Sequence, residues 1–196
     1  MSEQKTLRLS RSGAIADGSG TFHTQVTHAA SRFAQAFRAW QHVPEEAEVT
    51  IRTLVPPLPE LGEEGYAIRT ESPSRISITA NTDAGAANGI YGLLLAVRTK
   101  QIQAPFAEDW KTVEVPRWAD RRVAPASFAM GMTKMTPETW TLDEWKAYID
   151  FVRGFNINRI TILGLFPYHP DLPSTYKAKW RMEAQRDAIA LSLIHI

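Results

Sequence analysis

Tyr66-Ala67-Ile68-Arg69 and Arg75-Ile76-Ser77-Ile78-Thr79-Ala80 are followed by Asp83-Ala84-Gly85-Ala86-Ala87-Asn88-Gly89-Ile90-Tyr91-Gly92-Leu93-Leu94-Leu95. They open the run from Gly65 to Leu163 that decides the fold. In the first two segments apolar and polar residues alternate, the period of strands in a sheet covered on one face. Ser72-Pro73-Ser74 turns the chain between them. The third segment is apolar nearly all round, as a buried helix is, and Asp83 is placed to cap it. Each glycine inside it costs about 1 kcal/mol against alanine. Gly85 and Gly89, four apart on one face, therefore call for a packing reason: a helix lying close on its sheet.

Upstream, Thr6–Ser10 reads as a first strand and Gly13–Gly20 as loop. Val26, Ala30, Phe33, Phe37 and Trp40 recur at helical spacing, a second amphipathic helix that Pro44 stops. Val49 and Ile51 mark another strand, ended by Pro56-Pro57-Leu58-Pro59. Downstream, Trp110–Trp118 is a strand-like exit, and the domain boundary falls near Pro116. Val123–Met130 reads as a strand. Thr141-Leu142-Asp143-Glu144 fits a capping box. It starts a helix whose stripe is Leu142, Trp145, Ile149, Val152 and Phe155. Arg159–Leu163 follows as a short buried strand. Strand, helix and strand with a short loop make a βαβ unit, the crossover that parallel strands require.

The fold class read from this order is α+β. An antiparallel-rich sheet covered on one face by two helices forms a small α/β sandwich over residues 1–115. The first strands and helices of an incomplete (β/α)8 TIM-type barrel occupy residues 116–190. A barrel takes about 250 residues, so most of it lies outside this chain.

Glu64-Gly65-Tyr66-Ala67-Ile68, Ile76–Ala80, Asp83-Ala84-Gly85 and Gly89-Ile90-Tyr91-Gly92-Leu93 together resemble the N-terminal domain of family 20 glycoside hydrolases, the β-N-acetylhexosaminidases. α-Glucuronidases carry a similar domain. Val115-Pro116-Arg117-Trp118 with Arg121 resembles the family's lead-in to its first barrel strand. Asp143–Leu163, including Asn158-Arg159, resembles its first helix and second strand. The resemblance covers roughly residues 64–164. It implies a glycosidase acting on terminal sugars, with Arg121 matching the arginine that binds the terminal sugar. Its adjacent catalytic Asp-Glu pair belongs to the end of a fourth barrel strand, beyond this chain. The sequence departs from the family pattern where Arg122 replaces a glycine and Val123-Ala124-Pro125-Ala126 replaces a Leu-Asp.

Other readings are bounded by composition. Apolar residues at 44% and charged residues at 22% are those of a folded globular chain, so disorder is not expected. The formal net charge is +1, and neither sign clusters along the chain. No basic stripe stands ready for phosphates, so nucleic acid is not an expected partner. With no cysteine, disulfides and thiolate metal sites are excluded. No signal peptide or membrane-length apolar run is visible, so a cytoplasmic location without a membrane partner is the expectation.

Glycoside hydrolysis usually needs two carboxylates. Asp143-Glu144 is of the right type, but a helix N-terminus favours negative charge for its own sake, so capping is the reading and no catalytic residue is assigned. The substrate-binding candidates are Arg121, Tyr168 and His169, the last two following the second barrel strand, where barrel loops form the active face. His23 and His28 are five apart, which suits no metal pair, and no metal or cofactor is expected. Gly85, Gly89 and Gly92 lack dinucleotide-loop spacing and fall inside the helix. Leu191-Ser192-Leu193-Ile194-His195-Ile196 resembles the translation of a transposon-end adapter, so residues 191–196 are expected to be no part of the fold. The partner implied is a carbohydrate substrate, bound by the complete barrel, with this chain alone inactive. The second reading is a non-catalytic module binding sugar or a partner through its sheet.

Overall fold

The computed structural model describes residues 4–12, 15–40, 43–99, 106, 109–123 and 141–160. The chain divides into two compact units, Met1–Ala119 and Asp120–Ile196. Among the described residues no helix is long and apolar enough to cross a membrane.

The first unit is a six-stranded mixed sheet with two helices. Its elements are β1 (Thr6–Ser10), β2 (Ile15–Ser19), α1 (Thr24–Arg38), β3 (Glu48–Thr53), β4 (Tyr66–Ser72), β5 (Arg75–Ala80), α2 (Asp83–Arg98) and β6 (Lys111–Glu114). The strand order is β2-β1-β3-β5-β4-β6. β3 and β5 are parallel, and every other neighbouring pair is antiparallel. α2 packs on β5, β4 and β3, with α1 beside it. One core fills the space between helices and sheet. Leu7, Leu9, Val49, Ile51, Ile68, Ile76 and Ile78 come from the strands, Val26, Phe33 and Phe37 from α1, and Ile90 and Leu93 from α2. Burying each such side chain contributes about 1.5–3 kcal/mol before the entropy of ordering is met.

The glycines of α2 do what their spacing predicts. A Cβ built on Gly85 would stand 2.5 Å from the Gly65 carbonyl oxygen and 3.0 Å from Ala80 Cβ. One on Gly89 would overlap Ile78 Cγ2 and sit 3.3 Å from Tyr66 Cβ, and one on Gly92 would run into the Tyr66 hydroxyl. Three successive turns of bare backbone thus rest on β4 and β5, and Tyr66 lies in the groove they leave.

Several local expectations are corrected. Residues 15–19 form the edge strand β2 rather than loop, antiparallel to β1 with Leu9 opposite Ile15. Ladder hydrogen bonds to β1 stabilise it, while Asp17, Gly18 and Ser19 erase the alternation that would have revealed it. The N-cap of α2 is Thr82, whose Oγ1 accepts from Gly85 N at 3.2 Å. Asp83 is the first helical residue, and its carboxylate accepts from Lys5 Nζ at 2.9 Å and His23 N at 2.7 Å. That one side chain ties the start of β1 and the start of α1 to the start of α2. α1 ends at Arg38, well before Pro44, with Trp40 folded back on Phe33 and Phe37 at 5.3 Å from each ring.

The second unit contains β7 (Arg122–Val123), α3 (Leu142–Arg153) and β8 (Arg159–Ile160), with β7 and β8 parallel. This is a βαβ unit, as the sequence order implied. Trp145, Ile149 and Val152 are buried on α3, but Phe155 is not. It lies past the helix end, half-exposed against Phe151 at 5.1 Å, while Arg153 takes the buried place. The residues expected to extend β7 to Met130 and β8 to Leu163 lie outside the described residues, as does the 191–196 tail.

Candidate functional site

The second unit holds the site candidates that the described residues reach. Arg121 immediately precedes β7, and two asparagines in the turn before β8 seize it. Arg121 N donates to Asn158 Oδ1 at 3.0 Å, and Asn158 N and Arg159 N both donate to the Arg121 carbonyl at 3.2 Å. Arg121 Nε donates to the Asn156 carbonyl at 2.6 Å. Asn156 has φ 58, the left-handed conformation that asparagine tolerates better than most residues. Beside this latch Asp120 Oδ2 accepts from Arg122 at 2.7 Å and from Arg159 at 2.8 Å. The latch sets the register in which Arg122 faces Arg159 and Val123 faces Ile160.

All of these contacts lie where the two parallel strands begin. In a (β/α) barrel the chemistry collects at the opposite end, in the loops after the strands. Arg121 therefore commits Nε to bracing the N-terminal ends. Tyr168 and His169, which follow the second strand in sequence, lie outside the described residues. The latch itself is only half visible in the sequence: Asn158-Arg159 stands out, but Asn156 and Asp120 carry no periodic signal.

Glu144 is occupied in the capping box, and Asp143 sits in the first turn of α3. Glu144 N donates to Thr141 Oγ1 at 3.3 Å, and Glu144 Oε2 accepts from Thr141 N at 2.7 Å and from the Thr141 hydroxyl at 2.9 Å. The two hydrogen bonds that its carboxylate accepts, the backbone one foremost, hold the Glu144 carboxyl below the usual glutamate range. A general acid needs the reverse shift. Asp143 is exposed and pairs with Lys146 at 3.3 Å. Because the folded pKa of Glu144 is depressed, its contribution is complete above the unfolded glutamate pKa and lost as pH falls through the folded one. Amide exchange in the first turn of α3 is thus expected to accelerate on acidification through the carboxylate range. Thr141→Ala is expected to accelerate it at neutral pH, at a cost of about 1 kcal/mol. Equal exchange rates in wild type and variant would discard the cap.

Among the described residues no group of three His, Asp or Glu side chains could hold a metal ion. His23 is the exposed N-cap residue of α1, and His28 lies on the same helix.

No protein-family model matches the chain, and no curated protein sequence matches it. Solved structures do. One is described as a "GH138 enzyme targeting pectin rhamnogalacturonan II". It aligns with 90% of this chain and 29% of its own length at 12% identity, with TM-score 0.57. The likeness is one of fold, to part of that glycoside hydrolase. A second, "Structure of CpGH84B", aligns with 98% of this chain and 33% of its own at 15% identity and TM-score 0.47. The chain spans about a third or less of either structure.

Proposed function

We propose that this chain is the N-terminal part of a hexosaminidase-like glycosidase that removes terminal sugars. The observation that carries the reading is architectural: a helix-covered sheet followed by a parallel βαβ unit, in a chain that aligns over nine-tenths of its length with a glycosidase. Asp83, Asp120 and Glu144 are each engaged in structural hydrogen bonds and are not taken as catalytic; in this reading the acid and its partner belong to later barrel strands. Tyr168 and His169, after the second strand, are then the substrate-side residues, Arg121 braces the other end of the strands through its Nε bond to Asn156, and the carbohydrate binds the completed barrel.

The test compares the purified 196-residue chain with the complete product of its gene on aryl N-acetylglucosaminide and aryl glucuronide substrates. The chain is expected to be inert and the complete product to hydrolyse the N-acetylglucosaminide. Turnover by the chain at an enzymatic rate, or a complete product inert on both substrates, would overturn the reading.

A further inference from the structure

The helices cover one face of the six-stranded sheet, and strand alternation sends every second side chain to the other. Registers in the sheet align those residues into rows. Arg8 stands opposite Thr50, Thr50 opposite Ser77, Ser77 opposite Arg69 and Arg69 opposite Lys111. In the neighbouring row Thr6, Arg52, Thr79, Ala67 and Val113 follow one another, and Arg75 stands opposite Glu48. The face opposite the helices thus gathers Arg8, Arg52, Arg69, Arg75 and Lys111 around Thr50 and Ser77, which are themselves buried. The acidic residues near them are Glu48, which pairs with Arg75 at 3.7 Å, and Glu71 at the β4 bulge. Arg8, Arg69, Arg75 and Lys111 are exposed. Among the described residues, Arg8, Arg52, Arg69 and Lys111 make no side-chain hydrogen bond or ion pair. In a chain of net charge +1, four cations without a described partner thus share this face.

From this we infer that the sheet face opposite the helices binds an anionic polysaccharide whose carboxylates pair with Arg8, Arg52, Arg69, Arg75 and Lys111. Guanidinium forks match carboxylates in a bidentate geometry. The row from Arg8 to Lys111 crosses four strand spacings, about 19 Å, the footprint of an extended oligomer rather than one sugar. The hydroxyls of Thr6 and Thr79 between the cations suit a hydroxyl-rich chain. Among the described residues the two rows present no aromatic side chain on which nucleic-acid bases would stack. Val113 is their one large apolar residue, too little to enter a membrane. The inference does not rest on the glycosidase reading, because the face lies wholly within the first unit.

Affinity electrophoresis of the purified chain in polygalacturonate gels tests it. Fully methyl-esterified polygalacturonate and dextran serve as uncharged probes, and single-stranded DNA and anionic phospholipid vesicles as other anions. Retardation is expected in polygalacturonate only, weakening as salt rises. R69S/K111S is expected to weaken it about tenfold, and Arg8→Ser to weaken it from the far end of the row. Neither change removes a described contact, so an unchanged thermal midpoint should accompany the loss. R38S/R98S, which removes the same charge from the helix layer, should leave binding unaltered. Equal loss in both double variants, absence of retardation, or equal or tighter binding of DNA or vesicles would each overturn the inference.

Discussion

Phe37→Ala is expected to destabilise the first unit by about 4 kcal/mol, within the range for emptying a buried phenylalanine site. Phe37 is fully buried. Its ring lies 5.1 Å from Phe33, 5.3 Å from Trp40 and 5.8 Å from Phe106, the last nearly parallel to it. Truncation loses the transfer free energy of the ring and leaves a void, because close-packed neighbours anchored at several points of the chain cannot all collapse inward. A domain of this size has a total stability of about 5–15 kcal/mol, so the thermal midpoint should fall by about 15 °C. Phe151, at 61% exposed, is the control: its alanine variant should change stability by less than about 0.5 kcal/mol. Urea unfolding of both variants decides the matter. A Phe37→Ala shift below about 1 kcal/mol would mean that the aromatic cluster is not the stabilising core of α1.

How much of this was legible follows from what each element depends on. β3, β4 and β5 declare themselves through alternation, because Val49 and Ile51, Tyr66 and Ile68, and Ile76 and Ile78 must all enter one core. The α3 capping box is a local contract between Thr141 and Glu144, complete within four residues, and both halves of it form. β2 is stabilised by backbone pairing at a sheet edge, where side-chain pattern carries little information, and so its sequence reads as loop. Thr82 and Asp83 are both good caps by composition. The three-dimensional position of Lys5 and of the α1 N-terminus diverts Asp83 and leaves the cap to Thr82.

The site was less legible, for a related reason. Charge read along the chain shows no cluster, since the five cations of the face opposite the helices sit on five different strands. Only the order β2-β1-β3-β5-β4-β6, fixed by long-range pairing, brings them into rows. Arg121 shows the converse. Its match to a sugar-binding position is a statement about sequence order, whereas its Nε bond to Asn156 depends on a left-handed turn that the sequence advertises only as an asparagine.

Gly89→Ala sets two rules against each other. Intrinsic helix propensity predicts a gain of about 1 kcal/mol from replacing a mid-helix glycine. Packing predicts a loss, since the new methyl would overlap Ile78 Cγ2. Ile78 is fully buried in a central strand, and its Cγ2 is attached directly to a β-branched carbon with restricted χ1, so it cannot swing clear. Relief must come from lifting α2, which would also draw Gly85 off the Gly65 carbonyl and Gly92 off Tyr66. Overpacking of this kind costs about 1–3 kcal/mol, and three contacts share the displacement, so the expected net loss is about 2 kcal/mol. A double-mutant cycle with Ile78→Ala isolates the cause. Ile78→Ala alone should cost about 2–5 kcal/mol, but it removes the atom that the new methyl strikes. The double variant should then be more stable than the sum of the single losses by at least about 1 kcal/mol. Strict additivity, or a stabilising Gly89→Ala, would show that α2 does not need its glycines to reach the sheet.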